Sequence, residues 1–295
     1  MRLVITGETT AAAAGTTRAA ALAQGWMAER PTDSVEVHAL GRGPADAEAL
    51  SPGRLVVLGR PGEESWRDTD LTGAVVYLAD TAVGEGDWAD TWQALERDHG
   101  GWRGVRAWLG SAGRIVAGTT APLLGADSVL ATFAQADPAA ADGLRRRLTA
   151  LIGDIEAAAG TLPLIQRAPA GRAPGSGAGM GLGEIAWRLG LHVTDTALAL
   201  ADAWEEHGAW RDADLAIHVG AGLNTWDLPG SVTALAAERA AAWAIPTVAV
   251  ATQVGIGARE RGEWGIDGAL EAQDSAAALR VAGSRLARTW AFDIN

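Results

Sequence analysis

The stretch DLAIHVGAGLNTWDLPGS occupies residues 214–231, and PTVAVA follows at residues 246–251. Both contain short apolar runs that predict strands, and the Ala-rich segment between them, from about Ser231 to Ala244, predicts a helix. A last helix is expected over roughly residues 275–290. Strand, loop, helix, strand and helix in this order are typical of a parallel α/β layer with helices on its faces.

The beginning of the chain fits the same layer. MRLVIT at residues 1–6 predicts a strand, a Gly/Thr turn follows, and the Ala-rich residues 11–30 predict a helix. Residues 35–40 alternate between apolar and polar, which predicts a second strand.

The middle of the chain, roughly residues 56–189, has a different texture and predicts an inserted second α/β domain. Apolar runs predict strands at residues 54–58, 74–79 and 114–117. Helices are predicted at residues 88–108 with a break at Gly100 and Gly101, at 128–135, at 142–159 and from the Gly-rich run through Arg188, and a further helix at 193–207 follows this middle part. We therefore expect one domain from residues 1–55 and 190–295, and a second from residues 56–189.

The composition excludes several kinds of chemistry. The 295 residues carry 24 basic and 36 acidic side chains, a net charge of −12, which argues against a general nucleic-acid binder. All the basic residues are arginine, so a Schiff base, a P-loop lysine and a lysine general base are excluded. The absence of cysteine excludes disulfides and thiolate metal sites.

The same composition indicates where the protein works. The sequence contains no run of 18 apolar residues, and MRLVIT lacks the apolar region of a signal peptide, so we expect no membrane span and a cytoplasmic location. The Ala/Arg/Gly bias without lysine is typical of a GC-rich bacterial genome. The 13 Trp residues are scattered, which favours packing in the core over a stacking platform.

Two loops at predicted strand ends are candidate ligand sites, because ligands of parallel sheets bind at the carboxyl ends of the strands. The first loop contains Glu8. The second contains the candidate binding residues Gly220, Gly222, Asn224, Gly230 and Ser231. In each loop, backbone N–H groups and a helix N-terminus could bind a small anion, and in the second loop an arginine that the sequence does not identify would assist.

A third candidate is the Gly-rich run at residues 175–183, with Gly175, Gly177 and Gly179. Glycines let a backbone approach a ligand closely or turn sharply, so the run is either a ligand loop or a tight turn. The five histidines are not spaced as metal ligands, and no metal site is expected. His218 lies inside an apolar strand, which indicates a hydrogen-bonded core histidine.

Several motifs together carry a family resemblance. PGSGAGMGLG at 174–183, DADLAIHVGAGLNTWDLPGS at 212–231, PTVAVATQVG at 246–255 and APLLGADSVLATFAQ at 121–135 occur in the order found in the type I glycerate kinase family, which the chain resembles. The start, MRLVITGETT, also resembles that family. The resemblance implies a flavodoxin-like (Rossmann-like) first domain, an inserted second domain, an active site in the cleft between them, and ATP-dependent phosphorylation of glycerate.

The resemblance also shows which charged groups have been replaced. The family lysine of the first loop falls near Ala11, whereas the acid before it is retained as Glu8. The acidic turn after the second strand becomes residues 41–44, Gly-Arg-Gly-Pro. The family's GEGRLD…GK loop becomes residues 220–224 and 230–231, without its charged side chains. Phosphoryl transfer needs cations and metal-binding carboxylates, so these losses predict little magnesium-ATP chemistry.

The preferred interpretation is therefore a degenerate glycerate kinase homologue, a pseudoenzyme that binds a small anionic ligand or a protein partner and needs no cofactor. The alternative is an active kinase of glycerate or a related hydroxy acid, with ATP and magnesium as cofactors and with Glu8 and Asp227 as the catalytic candidates. An unrelated α/β enzyme is the third interpretation. The oligomeric state is not set by the sequence.

Overall fold

The structure is a computed structural model that describes residues 1–60, 65–80, 88–159 and 169–290. The chain divides into two compact units, Met1–Leu50 with Ala197–Asn295, and Ser51–Thr196. That each unit is one of the two domains expected from the sequence stays a prediction.

The strands and helices follow one another along the chain, with bounds close to those expected. The strands are β1 (Arg2–Gly7), β2 (Ser34–Ala39), β3 (Leu55–Leu58), β4 (Val75–Leu78), β5 (Arg114–Ala117), β6 (Thr194–Asp195), β7 (Leu215–Val219), β8 (Thr247–Ala251) and β9 (Gly268–Glu271). The helices are α1 (Gly15–Glu29), α2 (Pro44–Ala47), α3 (Trp88–Asp98), α4 (Trp102–Gly110), α5 (Val129–Ala136), α6 (Pro138–Ala159), α7 (Ala178–Arg188), α8 (Thr196–Glu206), α9 (Val232–Ala242), α10 (Ala258–Glu263) and α11 (Ala276–Trp290).

The first unit contains a parallel sheet with the strand order β2-β1-β7-β8-β9. In register, Ile5 on β1 lies between Val37 on β2 and Ile217 on β7. This is the strand order of flavodoxin-like sheets, in which the direction of winding reverses between the first strand and its inner neighbour. Here that switch point lies between β1 and β7.

Helices cover both faces of this sheet because alternate residues of β1 are apolar on each side. Leu3 and Ile5 pack in a cluster with residues of α1 and α11, whereas Val4 packs with Ala240 of α9 on the other face. Burial on both faces is what a parallel sheet requires. The α/β class with parallel sheets predicted from the sequence is confirmed.

Helices α1 and α11 approach each other closely enough that two positions must be glycine. A Cβ atom added at Gly283 would lie 2.0 Å from the carbonyl oxygen of Leu22, and one at Gly25 would lie 1.9 Å from that of Arg280. The two backbones therefore touch without side chains between them.

The second unit contains a parallel sheet of order β3-β4-β5-β6. Its strands pack with α3, α4, α6 and α7 around an apolar cluster that includes Trp88, Trp92 and Trp102. These three, with Trp26 and Trp210 of the first unit, are buried, which confirms the core role expected of them. Trp226 is the opposite case, because 90% of it is exposed.

Several elements differ from the sequence prediction, among them helix α2, which was not expected. The helix expected from residue 193 begins instead at Thr196, because Thr194 and Asp195 pair with Val116 and Ala117 as β6. Strand β9 and helix α10 were not expected at all. Among the helices of the described ranges, none has the length and apolar character needed to cross a membrane.

Candidate functional site

The switch point brings together the two loops that the sequence singled out. Glu8 follows β1 and Gly220 follows β7, and the N–H of Glu8 donates to the carbonyl oxygen of Val219 at 3.1 Å. The carboxyl ends of β1 and β7 are thus held side by side, which is where flavodoxin-like sheets bind ligands.

The Glu8 carboxylate bridges the two strand ends. Its Oε2 accepts the N–H of Ala221 at 3.1 Å, and its Oε1 lies 3.9 Å from Nε2 of His218. Burial raises the pKa of Glu8, but His218, the Ala221 N–H and the charge of Arg18 together lower that pKa below its usual value. The carboxylate is therefore ionised at neutral pH, and 17% of the side chain remains exposed.

Arg18, on α1, lies beneath the switch point and is almost fully buried. Its Nη1 donates to the carbonyl oxygens of Glu8 and Val219 at 2.7 and 3.1 Å, and its Nη2 donates to that of Gly220 at 3.0 Å. Its Nε donates to Asp274 at 2.7 Å. The guanidinium thus fixes three strand-end carbonyls, and its charge is directed at the protein rather than at a ligand.

A buried carboxylate fixes the rest of the first loop. Asp46 lies on the short helix α2, which follows β2. It accepts the hydroxyl of Thr9 at 2.6 Å and the N–H groups of Thr9 and Gly43 at 3.3 and 3.1 Å. Burial raises the pKa of Asp46, and the nearby charge of Glu8 raises it further, although the hydrogen bonds act in the opposite direction. Asp46 therefore connects the loop that carries Glu8, through Thr9, to the segment after β2, through Gly43.

Arg42 is a second arginine at this edge of the sheet. A Cβ atom at the preceding Gly41 would lie 3.2 Å from Cα of Glu8, so Arg42 begins one residue from the switch point. Its Nη2 donates to the carbonyl oxygen of Gly230 at 2.9 Å, next to Ser231. Arg42 thus links the end of β2 to the N-terminus of α9.

The second loop is stabilised by its own polar groups. The N–H of Gly220 donates to Val250, and that of Ser231 donates to Leu228, so an anion would have to displace these bonds to use either group. Asn224 Oδ1 accepts the N–H groups of Trp226 and Asp227, and Asn224 Nδ2 donates to Asp227 at 2.5 Å. Asp227 is therefore part of an exposed turn, and no contact in the described chain brings it to Glu8.

The two remaining glycines of this loop line open space. A Cβ atom would meet nothing within 4 Å at Gly222 or at Gly230, and Gly230 has a φ of 73° that favours glycine. The backbone at these two positions is therefore open to approach from the side on which a Cβ atom would lie.

The Gly-rich run of the second unit has a clear packing role. The N–H groups of Gly175, Gly177 and Gly179 donate to the carbonyl oxygens of Thr120, Ala121 and Ala79. Gly179, Met180 and Gly181 all have positive φ angles, between 57° and 79°, and form a buried left-handed turn. This arrangement fits the tight turn, one of the two sequence interpretations, and a ligand role for these glycines stays a prediction.

Within the described ranges, no group of three or more His, Asp or Glu side chains is arranged to hold a metal ion. The carboxylates nearest the switch point have other partners: Asp46 accepts from Thr9, and Asp274 accepts from Arg18 and from the Thr10 hydroxyl at 2.7 Å. The switch point therefore carries a partly exposed carboxylate, Glu8, with Arg42 on the neighbouring loop.

Ser231 caps α9, since its hydroxyl oxygen accepts the N–H of Ala234 at 3.0 Å. Replacing Ser231 with alanine should lower the free energy of unfolding by about 1 kcal/mol, whereas Ser231→Gly should cost only a few tenths. Urea denaturation measures both values. Equal losses for the two variants would contradict the capping role.

The comparisons with known proteins concern the fold and the family of the chain. No curated protein matches the chain. A crystal structure of "putative glycerate kinase 2" from Salmonella typhimurium LT2 matches with a TM-score of 0.69 and 15% sequence identity over 98% of each chain, which shows a shared fold. The model of the glycerate kinase family matches residues 106–291, more than half of the sequence. The chain belongs to the glycerate kinase family.

Proposed function

We propose that this kinase-like protein binds a small hydroxy acid at the switch point of the first unit and has lost efficient phosphoryl transfer from ATP. The observation that carries the proposal is the ionised, partly exposed Glu8 carboxylate at the ends of β1 and β7. Arg42 lies on the neighbouring loop, which follows β2.

Glu8 supplies the contact for a hydroxyl group. One carboxylate oxygen is bonded to Ala221 N–H, and the ionised group has further lone pairs that accept hydrogen bonds. A hydroxyl donating to an ionised carboxylate forms a stronger bond than a neutral pair. A phosphate placed here would instead meet a negative charge.

Arg42 supplies the contact for a carboxylate. It lies beside Gly230 and the N-terminus of α9, where the helix dipole also favours negative charge. A hydroxy acid carries both required groups, a hydroxyl for Glu8 and a carboxylate for Arg42, which is why we prefer it to a simple anion.

Loss of phosphoryl transfer follows from the missing cations. The transferred phosphoryl group needs positive charge to stabilise its transition state, and losing one such donor costs about 100- to 1000-fold in rate. The chain has no lysine, the buried Arg18 is engaged with backbone carbonyls and Asp274, and Arg42 is the group that binds the ligand carboxylate.

Binding of D-glycerate, measured by isothermal titration calorimetry, tests the proposal. Glu8→Gln should weaken binding about 10- to 100-fold, because it removes a charged acceptor. Arg42→Leu should also weaken it. Glu263→Gln, at a carboxylate of α10 that is 63% exposed, should bind like the parent protein. Absent binding by the parent, or equal binding by Glu8→Gln, would contradict the proposal.

An active hydroxy-acid kinase is the second candidate, favoured by the pairing of Glu8 with His218. A carboxylate supported in this way could accept a proton from a substrate hydroxyl. A coupled ADP-release assay with glycerate and magnesium-ATP separates the two candidates. Turnover that disappears in Glu8→Gln would replace the first candidate with the second, whereas binding without turnover supports the first.

A further inference from the structure

His218 has an unusual environment for a core histidine. It lies on β7 and is 1% exposed. Its Nδ1 is 2.9 Å from the Thr6 hydroxyl, which holds the ring in the sheet. Within the described chain its Nε2 is buried and has no hydrogen-bond partner. Oε1 of Glu8 lies 3.9 Å from this Nε2.

A buried polar atom without a partner costs about 1–3 kcal/mol, so its presence asks for an explanation. Thr6 can donate its hydroxyl proton to Nδ1, which leaves the ring proton on Nε2. The nitrogen that carries this proton lies 3.9 Å from Oε1 of the ionised and partly exposed Glu8 carboxylate. Hydrogen bonds of ligand sites are often long before the ligand binds and shorten in the complex.

We propose that His218 is a positioning residue for Glu8: fixed by Thr6, it directs its Nε2–H toward the carboxylate and keeps that carboxylate ready to accept a ligand hydroxyl. The inference rests on the proposed hydroxy-acid site. It assigns His218 a function in the site in addition to its place in the core.

The other charged and polar groups around Glu8 do not replace the approach of His218 to Oε1. Arg18 on α1 donates to the Glu8 backbone carbonyl, not to its side chain. Asp46 on α2 is a like charge. Ala221 contributes one backbone N–H to Oε2. Among the groups that lower the pKa of Glu8, His218 has the largest effect, which is consistent with its direction toward Oε1.

The matched pair His218→Leu and His218→Gln tests the proposal, because glutamine keeps a donor near the position of Nε2 and leucine does not. Glu8 is titrated by carboxyl 13C NMR, with its signal assigned by its absence in Glu8→Gln. His218→Leu should raise the pKa of Glu8, and His218→Gln should keep it low. An unchanged pKa in His218→Leu would reduce His218 to a packing residue.

Two further measurements keep the result clear. If His218→Leu does not fold, Thr6→Val serves instead: it releases Nδ1, and the pKa of Glu8 should again rise. D-Glycerate affinity should fall more in His218→Leu near pH 5 than at pH 8, because a raised pKa protonates more of the Glu8 carboxylate at the lower pH. Equal affinity losses at both pH values would contradict the proposal. The NMR result needs no ligand, so it stands even if glycerate proves not to bind.

Discussion

Replacing Arg18 with methionine should lower the free energy of unfolding by about 3 kcal/mol or more, one of the two largest effects expected for a single side chain here. Breaking a buried ion pair by removing one partner typically costs about 3–5 kcal/mol, and because the remaining Asp274 carboxylate is 21% exposed, this pair contributes the lower part of that range. The variant also leaves the carbonyls of Glu8, Val219 and Gly220 without this donor.

Urea denaturation followed by far-UV circular dichroism measures the loss. Arg288→Met is the matched control: Arg288 is 66% exposed and pairs with Glu29, so its loss should change stability by about 0.5 kcal/mol or less. A loss below about 1 kcal/mol for Arg18→Met would mean that water replaces the guanidinium at little cost.

The second large effect is expected at Gly283 in α11. Glycine-to-alanine changes inside helices usually stabilise by about 1 kcal/mol. Here the added methyl would lie 2.0 Å from Leu22 O and 2.9 Å from Trp26 N, which are backbone atoms that cannot rotate away. Helices α1 and α11 would have to separate, and we expect a loss of about 3 kcal/mol.

Gly153→Ala is the control for this prediction. Gly153 lies inside α6, and a Cβ atom there meets nothing within 4 Å, so the change should stabilise the protein by about 0.5–1 kcal/mol. Differential scanning calorimetry of the two variants should show shifts of opposite sign. A stabilised Gly283→Ala protein would show that the two helices are not packed as described.

Much of the fold was predictable because short apolar runs and glycine breaks in the sequence mark its strands and helix ends. The apolar runs of β1, β7 and β8 and the break between α3 and α4 at Gly100 and Gly101 were all recognisable from the sequence. Strand β9 was not, because GALE at Gly268–Glu271 contains no β-branched residue; its pairing with β8, Leu270 opposite Val250, makes it a strand. Strand β6 has two residues, too few for any periodicity.

The site was predictable only in part, because long-range strand pairing places two of its side chains. Glu8 stood at a strand end and was identified. Arg18 occurs in an Ala-rich helix, where one arginine normally indicates a solvated face, and only the pairing of β1 with β7 places it under Gly220. His218 was correctly predicted to be a core residue, but its approach to Glu8 depends on the same long-range pairing.

The pairing of β1 with β7 also affects how the protein is made. β1 ends at Gly7 and its inner neighbour β7 begins at Leu215. On a ribosome that adds about 5–20 residues per second, the first strand emerges roughly 10–40 s before the strand that must lie beside it. During that interval its exposed apolar edge is a target for aggregation, so newly made chains should depend on chaperones more than a contiguous flavodoxin-like domain does.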